Sequence, residues 1–467
     1  MKTYQLYINN QWMDASQDKY IEVINPSTEE VIAKVASASK EDVDAAVQAA
    51  KEAFPAWNGL ALEERVAYVR KIGQAIEANQ DRIMDVITKE LGAPRQAQAN
   101  SQAGRARSEM EATIDGLEAI DFEETIANAE IIKEGMGVVA AITPWNYPLN
   151  QIQRKITPAL LAGNTVVVKP ASDTPLTAVL LAEIIDELDL PKGVFNLITG
   201  SGSSVGDHLA SHPDVDLISF TGSTQVGQNL YHQAANKIKK LVLELGGKSA
   251  LIYLEGGDFD LAVNSAVSAI SSNAGQACSA LTRLLVPQDR LAEFEVAIKE
   301  KVESLKVGDP FEEGTDVGPL VSGKQRQTVL DYVAKGVEEG AKLLVGGKAI
   351  EGKGYFIQPT VFTEVSNDMT IAQEEIFGPV LSIITYRDVE EAIALANDSE
   401  YGLSGAVVGP EEEAVSVARQ IRTGNVIVNG AKVDPHAPFG GYKVSGLGRE
   451  KGQYGIEDYL EIKAIFK

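Results

Sequence analysis

The sequence predicts an α/β protein with two domains built on largely parallel sheets, plus a small β arm apart from both. Three observations carry this. From Gly137 onward, short β-rich runs alternate with helical patterns, the texture of a parallel sheet covered by helices on both faces. The same alternation resumes after Gly247. Two stretches, Phe122 to Lys133 and Leu460 to Phe466, fall outside either series. At 467 residues the chain is also too long for one compact core, so two or three domains are expected.

Taken in order, Tyr4 to Trp12 reads as a short strand and turn, with Asn9-Asn10 as the turn signal. Ser39 then precedes a helical pattern with Val43, Val47, Ala50 and Phe54 on one face, closed by Pro55. A longer amphipathic run extends from Glu63 to Leu91, stopped by Gly92 and Pro94. These helices read as scaffold. The first series of candidate strands is Val138–Ile142, Thr165–Val168, Phe195–Ile198, Leu217–Phe220 and Leu241–Leu243, with Thr174-Pro175 opening a helical run to Leu188. This is the nucleotide-binding type of α/β layer. The second series is Leu251–Tyr253, Leu284–Val286, Leu343–Val345, Leu381–Thr385, Ala406–Val408 and Val426–Val428. The two outlying stretches read as strands outside both sheets. An unpaired apolar terminal strand invites aggregation, so a subunit partner is expected.

Composition narrows the partners. A hydrophobic content of 44% with 23% charged residues is that of an ordinary soluble globular chain. The net charge of −24 argues against nucleic acid or an anionic membrane surface as the main partner. MKTYQLYINNQWMD has no apolar core of an export signal, and no apolar run approaches the roughly 18 residues of a spanning helix. With a single cysteine as well, a cytoplasmic location is expected. No metal site is indicated.

That cysteine, Cys278, permits no disulfide and no cysteine-ligated metal cluster within the chain. A solitary thiol is either apolar filler or a nucleophile. Its setting favours the second, because GQAC lies in a Gly-, Ala- and Ser-rich stretch where small side chains let a ligand approach the sulfur. Upstream, Glu244 follows the apolar run Leu241, Val242, Leu243 and precedes two glycines. A thiol to attack and a carboxylate to activate water suffice to make and then hydrolyse a thioester. Two glycine patterns follow candidate strands. TGSGSSVG (Thr199 to Gly206) is one residue longer than the dinucleotide fingerprint, and FTGSTQVG (Phe220 to Gly227) lacks the Lys-Ser/Thr of a Walker loop. Singly each reads as a tight βα turn; together they point to a dinucleotide crevice.

TPWNYP (Thr143 to Pro148), Lys169-Pro170, FTGSTQVG, LELGGKS (Leu243 to Ser249), GQAC, EEIFGPV (Glu374 to Val380) and PFGGYKVSGLGRE (Pro438 to Glu450) occur in this order. That set resembles the aldehyde dehydrogenase superfamily, NAD(P)-dependent and non-acylating, over nearly the whole chain. The resemblance implies a Rossmann-like cofactor domain (1–116 and 136–246), a catalytic domain (247–450) and a bridging arm (117–135 and 451–467) that makes a homodimer or homotetramer. It implies Cys278 as nucleophile, Asn146 as oxyanion donor and Glu244 as general base, with Lys155 and Glu450 at the proton exit. Lys169 would hold the adenosine ribose, and Glu375 with Phe377 would position the nicotinamide end. Gly222, Ser223 and Gly227 would line the pyrophosphate turn. Thr143, Pro144, Trp145, Ser172, Gly202, Phe220 and Leu245 complete the implied cofactor site, and Tyr147 the substrate side.

The chemistry follows its own logic. A planar aldehyde is a poor hydride donor and a tetrahedral thiohemiacetal alkoxide a good one, so the thiolate must add first. The oxyanion then needs donors, here the Asn146 amide and the Cys278 backbone N–H; losing one such donor costs roughly 10²–10³ in rate. Hydride transfer to the nicotinamide leaves a thioester for Glu244 and water to hydrolyse. A free thiol near pKa 8.5 is little ionised at neutral pH, so a depressed value is expected.

Two positions depart from the common pattern. Ser172 stands where NAD-favouring relatives place a glutamate that repels a 2′-phosphate, so NADP is expected to be accepted. Arg154 stands where semialdehyde-acid enzymes carry arginine; it reads either as a bidentate clamp for a substrate carboxylate or as half of a salt bridge. Three rivals remain: a coenzyme-A-acylating relative, against which Glu244 argues; a cysteine hydrolase, for which the four histidines offer no recognisable context; and a catalytically silent scaffold.

Overall fold

The structure, a computed structural model, describes residues 2–467. Its first sheet has eight strands in the spatial order Gly446–Leu447, Lys240–Glu244, Leu217–Thr221, Val138–Ile142, Thr165–Lys169, Phe195–Leu197, Leu6–Ile8, Gln11–Met13. The five from Lys240–Glu244 to Phe195–Leu197 are parallel. Within them side chains alternate between two cores. Val139, Ala141, Val166 and Val168 face the helices Pro148–Leu161 and Leu176–Asp186. Val138, Ala140, Val167 and Ile218 face Lys40–Asn58, through Val43, Val47 and Ala50. A strand covered on both faces needs apolar residues throughout, which is why these runs are uninterrupted in the sequence.

The second sheet has seven strands in the order Lys342–Val345, Thr360–Thr363, Val380–Tyr386, Arg283–Pro287, Ala250–Tyr253, Ser404–Val408, Asn425–Val428. All its pairings are parallel except the first. A separate antiparallel sheet joins Glu123–Ile126, Ala129–Gly135 and the terminal strand Leu460–Phe466. Ile126, Ile462 and Phe466 are exposed there, so the arm presents apolar side chains to its surroundings. Among the described residues no helix is long and apolar enough to cross a membrane.

Several sequence expectations need correction. Asn9 and Asn10 do make a turn, both left-handed (φ 53° and 57°), but as the tip of a hairpin that extends the first sheet. The helix beginning after Ser39 does not close at Pro55; it runs to Asn58, anchored by buried Trp57, whose indole donates to the Leu160 carbonyl at 3.2 Å. The run Glu63–Leu91 is two helices, Leu62–Ala78 and Gln80–Leu91, separated at Asn79. The strands Tyr20–Asn25, Glu30–Ala36 and Thr360–Thr363 are additions. So is the helix Asn100–Asp115, whose buried face mixes Gln102, Glu109 and Thr113 with Ala103, Ala106, Met110 and Ile114 and so dilutes its apolar stripe.

One connection matters for the site. Gly446–Leu447, although it follows the second sheet in the chain, pairs antiparallel with Leu243 and Glu244 at the edge of the first. The PFGGYKVSGLGRE segment thereby closes over the ends of the first sheet's strands.

Candidate active site

The parallel strands of the first sheet all point their carboxyl ends at one edge. Thr143, Lys169, Gly222 and Glu244 stand at or just past those ends. The order reverses between Val138–Ile142 and Leu217–Thr221, since the chain builds outward from the first of these in both directions. That is a topological switch point, the place where doubly wound sheets open a crevice. A cavity of about 260 Å³ lies there, lined by Pro144, Trp145, Asn146, Gly222, Ser223, Leu245, Cys278, Glu375 and Phe377 among others.

Local structure explains the glycines. A Cβ at Gly222 would enter the Phe220 ring, and one at Gly227 would enter the Leu245 side chain. Both must stay small for the helix Thr224–Ala235 to start tight against the sheet, with Ser223 capping it by accepting from the Val226 N–H at 3.4 Å. Lys169 and Ser172 lie one strand over, outside this cavity. The Lys169 stem passes Gly206, its ammonium donates to the Pro170 carbonyl at 2.9 Å, and Ser172 donates to the Gly200 carbonyl at 3.1 Å. The TGSGSSVG turn thus carries both, while Gly202 itself has open space around it. Burial brings the Lys169 ammonium down to about 8.

Cys278 follows an unusual backbone. Asn273, Ala274 and Gly275 are successively left-handed (φ 51°, 54°, 70°), a strained run for two non-glycine residues. Side-chain amides hold it. Asn273 donates to the Asn146 carbonyl at 2.9 Å, Asn146 donates to the Gln276 carbonyl at 3.0 Å, and Gln276 accepts from the Val321 N–H at 2.9 Å. The Asn146 loop and the cysteine loop are therefore stapled together, with the half-buried thiol facing the cavity. The thiol is pushed up to about 12, by burial first and then by the Glu375 and Glu244 carboxylates. This corrects the expectation of a depressed value: the nearby protein charges are mostly negative, and Arg154 only partly opposes them.

Glu375 accepts from the Gly247 N–H at 3.0 Å and is raised by burial to about 7. Phe377 is left-handed (φ 55°), meets the Trp145 ring edge-on with 5.1 Å between centroids, and is pinned by Gln325, which donates to its carbonyl at 2.9 Å. Glu244 is buried with both carboxylate oxygens unpartnered. Burial, then the neighbouring Glu450 charge, raises its carboxyl well above the usual range. Gly440 (φ 151°) passes close enough that a Cβ there would sit 2.6 Å from Glu244 Oε1. Lys155, fully buried, donates to Thr221 Oγ1 at 2.7 Å and to Glu450 Oε1 at 2.9 Å.

Arg154 is placed differently from the clamp expectation. Its Nε and Nη2 donate to Glu109 Oε2 and Oε1 at 2.8 and 2.6 Å, so the fork that a substrate carboxylate needs is filled from within the protein. Tyr147 is half-buried as the N-cap of the helix that carries Arg154. Sequence reasoning missed Glu109 and also Gln325, Thr328 and Tyr332, which line the cavity from the helix Gly323–Glu338. No motif marks that helix; its only signal is Ser322 as N-cap.

The profile of the aldehyde dehydrogenase family matches residues 12–465. The chain belongs to that family. A Staphylococcus haemolyticus protein assigned to the aldehyde dehydrogenases is 46% identical over 470 aligned residues, covering 100% of this chain and 99% of the relative. Aldehyde dehydrogenase C of Pseudomonas syringae, solved as a mutant with NAD+ and octanal, is 43% identical with a TM-score of 0.97, covering 99% of this chain and 96% of that one. The betaine aldehyde dehydrogenase of Staphylococcus aureus, solved with NAD+, is 38% identical with a TM-score of 0.95, covering 99% and 94%. An aldehyde dehydrogenase is thus an oxidoreductase built here on a two-sheet α/β scaffold, with its one thiol on the crevice of the first sheet.

Proposed function

We propose that this enzyme oxidises an aldehyde to the carboxylic acid with NAD+ or NADP+, through a covalent acyl intermediate on Cys278. One observation carries the reading: the thiol and Asn146 line the switch-point cavity together with Leu245 and Gly246, which directly follow Glu244 and its two unpartnered buried oxygens. The residues present fit a dinucleotide. Gly222 and Ser223 open a helix at a strand end, Lys169 offers a buried ammonium, and Glu375 with Phe377 bounds the far side. When bound, NAD(P)+ supplies the hydride acceptor and a cationic ring. The protein's part is to bring Cys278 to the carbonyl carbon, to offer the Asn146 amide and the Cys278 N–H to the oxyanion, and to keep Glu244 ready to take a proton from water. Lys155 and Glu450 stand beside Glu244 as a route for that proton. The exposed apolar arm supports a homodimer or homotetramer. With Arg154 engaged by Glu109, a semialdehyde acid loses its main support as substrate. Reduced-cofactor absorbance across an aldehyde panel tests the reading; no turnover with any aldehyde and either cofactor defeats it.

Cofactor choice is a separate prediction. Ser172 puts a hydroxyl, not a carboxylate, on the turn beside Lys169; the carboxylate acting on Lys169 is that of the exposed Asp173. NADP+ should be used with a kcat/KM comparable to or above that of NAD+. Ser172→Glu should lower the NADP+ value about 10–100-fold by setting a carboxylate against the 2′-phosphate, and change NAD+ little. Because Lys169 sits at about 8, any NADP+ advantage should shrink as pH rises through that value and the ammonium loses its charge. Strict NAD+ selectivity in parallel kinetics overturns this.

A further inference from the structure

We propose that Glu109 closes the acyl-binding side of this site to anionic aldehydes by occupying Arg154. The inference rests on the aldehyde-oxidising reading above and concerns which aldehydes are admitted.

Arg154 lies two turns into the helix that starts just after Asn146, with its guanidinium 5.3 Å from the Phe439 ring centre. Phe439 adjoins Gly440, whose backbone passes close against Glu244, so the guanidinium lies on the Glu244 side of the site. An unpaired guanidinium in that place would be a receptor for a carboxylate, since its planar fork matches one bidentately. The fork is filled instead. Glu109, on the helix Asn100–Asp115 and only 2% exposed, takes both parallel donors, and it also accepts Gln153 Nε2 at 2.9 Å and lies 3.2 Å from Lys451 Nζ.

Two features mark this as a built arrangement. Burial opposes the Glu109 charge, yet the Arg154 and Lys451 cations hold its carboxyl down at about 2, so it is an anion at every working pH. Lys451 reaches it from a left-handed backbone (φ 71°), a conformation a non-glycine residue keeps only when its surroundings require it. The other edge makes no hydrogen bond but faces a second carboxylate, with Nη1 4.0 Å from the unpartnered Glu450 Oε2. An incoming carboxylate would shed its water, find the Nε–Nη2 fork taken, and meet the buried carboxyl groups of Glu109 and Glu450. A neutral aldehyde meets none of these penalties. Specificity built by repulsion and by pre-emption of a donor is negative selection against one substrate class.

The test compares 4-oxobutanoate with its neutral methyl ester as substrates of the full-length enzyme, in wild type, Glu109→Gln, Arg154→Met and the double variant. Wild type should favour the ester by about 10-fold or more in kcat/KM. Glu109→Gln, which keeps the shape and removes the charge, should raise the acid-to-ester ratio about 10-fold or more, chiefly through KM for the acid, and adding Arg154→Met should erase that gain. Arg154→Met alone should not raise the acid-to-ester ratio, since it removes a silenced arginine and leaves the Glu109 carboxylate in place. A wild type that prefers the acid, an unchanged ratio in Glu109→Gln, or a rise in the acid ratio on Arg154→Met alone each overturns the assignment. Should Glu109→Gln fail to fold, the wild-type preference decides, because an active arginine would favour the acid over the ester. If wild type oxidises neither compound nor any aldehyde of the panel, the underlying enzymatic reading falls; if only the ratios fail, Glu109 alone is misassigned.

Discussion

Replacing Cys278 with alanine should abolish aldehyde oxidation, with kcat/KM falling about 10⁵-fold or more, the scale seen when a covalent nucleophile is removed. Nothing else in the site can substitute. It is the chain's one thiol, and the neighbouring Asn146 and Gln276 carry amides, which are not nucleophiles. Cys278→Ser is the sharper comparison, because it keeps the geometry while offering an alcohol that the surrounding carboxylates would hold protonated. It should retain cofactor binding, seen by quenching of tryptophan fluorescence, and lose acylation. Substantial oxidation by Cys278→Ala would end the covalent mechanism. Loss of cofactor binding with loss of activity would point to a collapsed loop, so thermal melting of both variants belongs to the measurement. The raised thiol adds a pH expectation. With the value pushed up to about 12 by burial and by Glu375 and Glu244, acylation in this state is limited by the thiolate fraction and should accelerate as pH rises.

How much of this could be read from residues alone differs by element. The five parallel strands of the first sheet sit within a residue or two of their sequence ranges, because a strand buried on both faces is a continuous run such as TVVVK. The helix Asn100–Asp115 was illegible for the opposite reason. Its buried face holds Gln102, Glu109 and Thr113, and only a partner far along the chain makes a buried glutamate tolerable. Arg154 shows the same limit: its residue type announced an ion pair, but whether with substrate or protein depended on Glu109, 45 residues earlier. The glycine motifs read as a set because each is a short stretch whose glycines answer to local crowding, as at Gly222 against Phe220. The thiol's ionisation was not legible, since it sums charges from four distant segments. Sequence reading succeeded where the constraint was local and failed where a buried charge was balanced across the fold.

Glu244→Gln should separate the two halves of the reaction. Glu244 makes no hydrogen bond in the protein, although both its oxygens are buried, which leaves it free for water. Its raised carboxyl makes it a stronger base than an exposed glutamate and places its titration nearer the working pH, where a general base is most effective. Glutamine keeps the shape and cannot take a proton. Thioester formation should proceed and hydrolysis should stall, with steady-state kcat falling about 10²–10⁴-fold, the usual contribution of a general base. Rapid mixing should show a burst of reduced cofactor near one equivalent per site, then a slow phase, and intact-protein mass should show the acyl group on Cys278. Hydroxylamine, which attacks thioesters without a base, should restore turnover. The sign of the pH dependence follows from the direction of the shift: the active species is the carboxylate, so wild-type deacylation should rise with pH through the raised value, and Glu244→Gln should lose that limb. Removing the Glu450 charge, the largest influence on Glu244 after burial, should move the same limb to lower pH in Glu450→Gln. A Glu244→Gln enzyme without a burst, or with hydrolysis at the wild-type rate, would take the base role away from this residue.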